Sequence, residues 1–173
     1  MWEPALKLTR RIRIAGPLAL IACLDVNLAW AQAASKGCFS KQEEQAEQIV
    51  RDGVRLREGA IGCDDRPYLA GTLVLWRQVD QRFGAQFNQQ TKIRQTAFQR
   101  EFADDADNTL EMWNGRIVFH YRHYPLSDTY CGSVKLMLQS MLQGSNAKGW
   151  GILVKQAGYG KDEVSMDYRL CEK

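Results

Sequence analysis

The chain has 173 residues, of which 45% are hydrophobic and 25% charged, so it is long enough for one globular domain but short for two. Its formal net charge is +3, but four of its 23 basic and two of its 20 acidic residues lie within the first 33 positions. The rest of the chain is nearly neutral and lacks the strong positive field of nucleic-acid-binding domains. We therefore expect no nucleic-acid partner.

The N-terminus has the three parts of a secretory signal peptide. Residues 7–13 are rich in Lys and Arg, residues 14–24 are almost wholly apolar, and Ala31, Gln32 and Ala33 form a small-x-small cleavage site. The apolar run is too short to span a bilayer, which takes about 20 residues. The pattern predicts a cleavable signal over residues 1–33, a single globular domain over residues 34–173, and a periplasmic or secreted protein.

A second interpretation of the same segment is a lipoprotein signal. Residues 20–23 read Leu-Ile-Ala-Cys, which resembles a lipobox, and Asp25 interrupts the apolar run soon afterwards. Residues 1–22 would then be removed and Cys23 lipidated, which would anchor the protein at the envelope. Membrane contact is expected only in this case.

Both routes leave four cysteines, which are Cys38, Cys63, Cys131 and Cys171. An even number of cysteines in an oxidising compartment predicts two disulfides. No two of them have the close spacing of a structural zinc site. We expect no metal and no cofactor.

The first predicted helix covers residues 41–58. Ser40 and Glu43 match a capping box, and Ala46, Ile49 and Val54 recur at helical spacing. The charged residues Glu44, Glu47, Arg51, Arg55 and Glu58 are assigned to the other faces. Such a helix holds its ends about 27 Å apart, too far for an easy bridge between Cys38 and Cys63. We therefore expect Cys38 to pair with Cys131 or Cys171.

Two more helices are predicted before the middle of the chain. One begins near Asp64 and carries Leu73, Trp76 and Phe83 on an apolar face, with Gly84 as its stop. The next covers residues 86–103, so the pair forms either an antiparallel hairpin or one long kinked helix. The acidic residues 104–108 end this helical half.

The second half of the chain is predicted to contain a sheet. Residues 116–124 are rich in β-branched and aromatic types and read as a strand, as do residues 150–155 and 164–171. A turn over residues 158–162 joins the last two as a hairpin, and a helix capped by Asp128 and ended by Gly144 crosses the sheet. The predicted fold is α+β, with three N-terminal helices followed by a small antiparallel sheet with one crossing helix, stapled by disulfides.

No sequence motif identifies catalytic residues, which are therefore unknown. His120 and His123 are expected on opposite faces of the predicted strand and so cannot chelate a metal together. The residues that look most suited to contact a partner are tyrosines with neighbouring Phe and Arg, because these types contribute large contact areas at interfaces. This candidate interface comprises Phe119, Tyr121, Arg122, Tyr124 and Tyr130.

These features favour a small exported binding or accessory protein of the periplasm or cell envelope. It would act by surface contact through the tyrosine-rich strand, on a protein or another envelope component that the sequence does not name. One alternative is an envelope hydrolase that uses a carboxylate or His120 as acid or base. Another is a disulfide-stabilised, chaperone-like domain.

Overall fold

A computed structural model of the chain describes residues 37–157 and 169–171. Internal contacts divide the chain at Ala31–Gln32, and every described residue belongs to the second unit. The predicted signal sequence and Cys23, the turn over residues 158–162 and most of the strand over residues 164–171 lie outside the described residues.

The described part consists of helices joined by short turns. In chain order they are α1 (Lys41–Cys63), α2 (Thr72–Phe102), a short 3-10 turn (Ala103–Asp105), α3 (Ala106–Arg122), α4 (Asp128–Leu142) and α5 (Asn146–Ala157). Within the two described ranges no strand forms, and β pairing is limited to one isolated bridge between Phe39 and Leu170. The α+β prediction is therefore wrong, because the described fold is all-α.

Helix α1 begins as its sequence predicts and ends later. The Ser40 hydroxyl accepts a hydrogen bond from the Glu43 N–H, and a Glu43 carboxylate oxygen accepts one from the Ser40 N–H at 2.7 Å, which confirms the capping box. The helix continues through Gly53 to Cys63. A Cβ at Gly53 would lie 2.8 Å from the Phe87 ring. The missing side chain therefore lets α2 approach closely, and this packing outweighs the intrinsic cost of glycine in a helix, about 1 kcal/mol.

Helix α2 joins the second and third predicted helices into one element of 31 residues. Gly84 does not end it. The helix buries Val79 and Phe83 against one group of neighbours and Ala97 and Phe98 against another, so continuity through the glycine serves two separate cores. The acidic breaker predicted over residues 104–108 is confirmed only in part: the helix is interrupted at the turn over Ala103–Asp105, and residues 106–108 already belong to the next helix.

Helix α3 replaces the strand that was predicted over residues 116–124. Trp113, Ile117 and Tyr121 recur every four residues and are all buried. That spacing matches one face of a helix. Helix α5 likewise replaces the strand over residues 150–155, with Leu153 buried and the Ser145 hydroxyl accepting a hydrogen bond from the Lys148 N–H.

Two apolar cores lie along the α1–α2 pair. One gathers residues of α1, α2, α4 and α5, namely Ile49, Leu56, Ala60, Val79, Phe83, Val134, Leu138, Met141 and Leu153. The other joins α2 and α3 to the segment before α1, through Phe39, Ala97, Phe98, Trp113, Ile117 and Tyr121. No helix in the described ranges is long and apolar enough to cross a membrane.

Two disulfides connect distant parts of the chain. Cys38 pairs with Cys171, which is one of the two partners that the length of α1 leaves for it, and Cys63 pairs with Cys131. Since α1 reaches Cys63, Cys38 and Cys63 lie at opposite ends of a helix about 34 Å long. The Cys63–Cys131 bridge is buried beside Leu69, where it joins the end of α1 to the first turn of α4.

Candidate binding surface where α3 meets α4

Four of the five residues predicted to contact a partner lie near the junction of α3 and α4. Phe119 is 66% exposed, and Arg122 is also exposed. Tyr124 and Tyr130 are half-buried, and their ring centroids are 4.8 Å apart. Tyr121 is different, because it is only 5% exposed and packs in the core with Ile117. Its assignment to the interface is therefore corrected.

The structure adds Tyr68 to this region. Tyr68 is 60% exposed, and its hydroxyl donates a hydrogen bond to Asp128 in the first turn of α4. It lies in the turn between α1 and α2, far from α4 in sequence, so no local pattern pointed to it. We call the set Tyr68, Phe119, Arg122, Tyr124 and Tyr130 the corner surface.

The backbone beneath the corner surface is held by polar contacts and a disulfide. Arg66 donates hydrogen bonds to the Leu126 carbonyl and to the Asp128 carboxylate. Leu126 packs against the buried pair Cys63 and Cys131. These restraints fix the loop between α3 and α4, so its backbone loses little conformational freedom on contact with a partner.

Two polar side chains of the corner surface are tied to α1. The Arg122 Nε donates to a Glu58 carboxylate oxygen at 3.2 Å, and Glu58 is itself buried. The Tyr130 hydroxyl lies 3.5 Å from the Arg55 carbonyl oxygen. Burial raises the pKa of the Tyr130 phenol above its ordinary value, so this hydroxyl remains a donor to higher pH than an exposed phenol does.

The two histidines lie at the same end of α3. The His120 ring centroid is 4.9 Å from that of Tyr121 and 5.9 Å from that of Tyr124. His123 follows the helix, with its ring 4.2 Å from that of Phe119 and its Nδ1 2.8 Å from the Phe119 carbonyl oxygen. Their predicted placement on opposite faces of a strand is wrong. Within the described ranges, no three metal-ligating side chains come together.

A second cluster of polar groups lies inside the helical bundle, around Glu47. Its Oε1 accepts hydrogen bonds from the Arg51 Nε and the Trp113 Nε1, both at 2.7 Å. Its Oε2 accepts one from an Arg94 terminal nitrogen at 3.1 Å. The Arg51 guanidinium also lies 5.2 Å from the centre of the Trp113 ring. Glu47 and Arg51, assigned by sequence to faces of α1 other than its apolar face, are fully buried.

The Glu47 cluster joins α1, α2 and α3 at one level of the bundle. A buried carboxylate is costly unless it is paired and hydrogen-bonded, and here both oxygens are engaged by charged or indole donors. Sequence reasoning missed the cluster because Glu47 and Arg51 have the i, i+4 spacing of an ordinary surface ion pair. Their partners Arg94 and Trp113 come from other helices.

No protein-family model, no curated protein and no solved structure matches this chain.

Proposed function

We propose that this chain is a small exported binding protein that acts by contact with another protein of the cell envelope through the corner surface. The observation that carries the proposal is the contact between the half-buried rings of Tyr124 and Tyr130, 4.8 Å apart, at the α3–α4 junction, where the Phe119 and Tyr68 rings are also exposed. Aromatic residues and Arg on a preorganised backbone are the types that dominate binding energy at protein interfaces. The predicted tyrosine-rich strand is replaced by a surface made of a helix and a loop.

Export is the second half of the proposal. It is supported by the signal-like pattern over residues 1–33 and by the two disulfides, which are typical of oxidising compartments. Release after Ala33 and lipidation of Cys23 remain the two candidate routes. The intact mass of the exported protein distinguishes them, because the first removes 33 residues and the second removes 22 and adds acyl groups.

We place surface contact ahead of the hydrolase alternative because of the surroundings of His120. Its ring packs against Tyr121 and Tyr124 at the end of α3. Such packing is typical of a histidine that helps to order an aromatic cluster.

Site-specific photocrosslinking in cells tests the corner surface. A photoreactive phenylalanine analogue is placed at Phe119 or at Tyr68, and at Met112 as the control. Met112 also lies on α3 and is 59% exposed, but it is two turns away from Phe119. We expect the two corner positions to give the same discrete cross-linked species, and Met112 to give none.

A substitution then separates specific contact from proximity. Tyr124→Ala removes the ring that packs against Tyr130 and is expected to abolish the cross-link from Tyr68 while the protein keeps its helical circular dichroism. Equal cross-linking from all three positions, or a cross-link that persists in Tyr124→Ala, would contradict the proposal.

A further inference from the structure

A pocket of about 340 Å³ opens between α1, α2 and α3, apart from the corner surface. This volume is at the small end of the range for ligand-binding pockets, about 300 to 1,000 Å³. Each of the three helices contributes apolar wall, including Val54, Phe87 and Ile117. The lining also contains two arginines and an aspartate, which are Arg57, Arg94 and Asp80.

One end of the pocket is formed by Arg94 and Asn114 and offers hydrogen-bond donors. Arg94 is 3% exposed, and its terminal nitrogens donate to Glu47 and to the Asn114 side-chain oxygen. Because a guanidinium can only donate, the Asn114 amide must turn its oxygen toward Arg94 and its NH₂ group away. In the parts of the chain that the structure describes, the Arg94 Nε has no hydrogen-bond partner.

The acidic group of the pocket lies at a different level. Asp80 precedes Arg94 by fourteen residues on α2, which is about 21 Å along the helix axis. Arg57 lies ten residues beyond Glu47 on α1, about 15 Å along that helix and therefore away from Arg94. The negative end of a ligand beside Arg94 and Asn114 would meet hydrogen-bond donors. The apolar part of the same ligand would lie against the walls toward Phe87.

We infer that this pocket binds a small amphipathic monocarboxylate, with the carboxylate at Arg94 and Asn114 and the apolar body between Val54, Phe87 and Ile117. The Asn114 NH₂ and the guanidinium of Arg94 hold the carboxylate. The limited volume favours a short acyl chain or a single ring. The Glu47 cluster holds Arg94 in place, so that the cation is already oriented when the ligand arrives.

Isothermal titration calorimetry of the purified, oxidised chain tests this with three probes of equal length: octanoate, octanol and octylammonium. We expect octanoate to bind saturably with one site per chain. Octanol should bind at least about tenfold more weakly, the scale of one hydrogen bond to a charged group. Octylammonium should show no binding. Equal binding of octanoate and octanol, binding of octylammonium, or no saturable octanoate binding would overturn the inference.

Two variants locate the site. Asn114→Asp keeps an oxygen for Arg94 to bond, so it preserves the structural contact, but it replaces the NH₂ donor with a negative charge. It should lower octanoate affinity by at least about tenfold and leave octanol affinity unchanged. Val118→Trp places a larger side chain in the pocket lining and should abolish octanoate binding, whereas Leu136→Trp, on the exposed face of α4, should not. Unchanged octanoate affinity in Asn114→Asp or in Val118→Trp would place the ligand elsewhere and overturn the assignment.

Discussion

Glu47 and Asp64 are two carboxylates that the chain uses in different ways. Glu47 lies inside the bundle and binds side chains of three helices. Removing it would leave Arg51 and Arg94 buried without this counter-charge, the kind of change that costs about 3 to 5 kcal/mol. Asp64 lies outside, directly after α1, and binds the backbone at the start of α2.

Asp64 takes the place of the missing N-cap side chain of α2. The N-cap residue is Gly71, and the Asp64 Oδ1 accepts hydrogen bonds from its N–H at 2.9 Å and from the Leu73 N–H at 3.1 Å. The Leu73 N–H contributes most to lowering the pKa of Asp64 below its ordinary value, and the N–H of Gly71 adds to it. A carboxylate at this position also interacts favourably with the helix dipole.

The lowered pKa predicts a pH dependence of stability that belongs to Asp64. A carboxyl group whose pKa is lower in the folded than in the unfolded state stabilises the fold at pH values above its unfolded pKa, about 3.9 for Asp. This stabilisation is lost as the pH falls through the folded pKa. Asp64→Asn keeps an acceptor oxygen but does not titrate. We expect it to be less stable than the natural chain at pH 7, with the difference shrinking toward pH 2.5.

Urea unfolding at a series of pH values measures this difference. Asp65→Asn is the matched control, since Asp65 is the next residue along the chain and is exposed. Its unfolding midpoint should follow that of the natural chain at every pH. A constant offset between Asp64→Asn and the natural chain from pH 7 to pH 2.5 would contradict the role assigned to the charge.

At the scale of elements, the two wrong strands have the same cause. Residues 116–124 and 150–155 are rich in types that favour strands, but propensities of this kind span only about 1 kcal/mol. The helical alternative buries Trp113, Ile117 and Tyr121 together on one face of α3. Leu110, three residues before Trp113, extends the same spacing, so the helical pattern was present in the sequence over a longer window.

Contact between α4 and α5 depends on a glycine. A Cβ at Gly149 would lie 2.1 Å from the Met141 carbonyl oxygen and 2.9 Å from the Phe83 ring. The first atom belongs to the backbone of α4 and cannot turn away as a side chain would. The close approach of the two helices therefore requires glycine here.

Gly149→Ala should lower the free energy of unfolding by about 3 kcal/mol or more, because the helices must separate to relieve the overlap. Gly151→Ala is the control on the same helix, since nothing lies within 4 Å of the Cβ it would add. It should raise stability by about 0.5 to 1 kcal/mol through helix propensity. Urea unfolding of both variants measures the contrast, and similar effects from the two substitutions would show that α4 and α5 do not pack this closely.

At the scale of the whole molecule, each disulfide joins a different pair of distant segments. The Cys38–Cys171 bridge joins residues 133 apart in sequence and brings the C-terminal segment beside Phe39. The Cys63–Cys131 bridge joins residues 68 apart and is fully buried between α1 and α4. In the chain-entropy model, loops of these sizes contribute about 4 to 5 kcal/mol each.

The two bridges should nevertheless differ in their effect on stability. Cys38→Ala/Cys171→Ala removes a bridge whose Cys38 is half-buried and whose Cys171 is exposed, so it should cost about the loop entropy, near 5 kcal/mol. Cys63→Ala/Cys131→Ala should cost more, despite its shorter loop, because it also leaves a cavity in the core beside Leu69. Urea unfolding ranks the two double variants, and the opposite ranking would contradict this account.

Peptide mapping without reduction provides the control on connectivity. The oxidised chain should yield peptides that link Cys38 to Cys171 and Cys63 to Cys131. A thiol probe should not react with the denatured, unreduced exported protein, in which either processing route leaves only these four cysteines. A peptide linking Cys38 to Cys63 would contradict both the pairing and the continuous helix α1 between them.

Local sequence determined the parts of this protein that depend on neighbouring residues. Three features involve residues only a few positions apart: the capping box at Ser40, the helical spacing along α1 and the break near Asp104. All the residues that form each of them are therefore visible in a short stretch of sequence. The length of α1 also constrained Cys38, because a helix has a fixed rise per residue.

Tertiary structure decided what depends on residues far apart. Packing across two cores made α2 a single helix and turned the segment around Ile117 into helix, since buried contacts outweigh propensities of about 1 kcal/mol or less. The same long-range contacts placed Tyr68 beside Asp128 and brought Arg94 to Glu47, two pairings that no spacing along the chain could indicate. Both candidate binding regions rest on these pairings, because they join side chains from segments that are far apart in the chain.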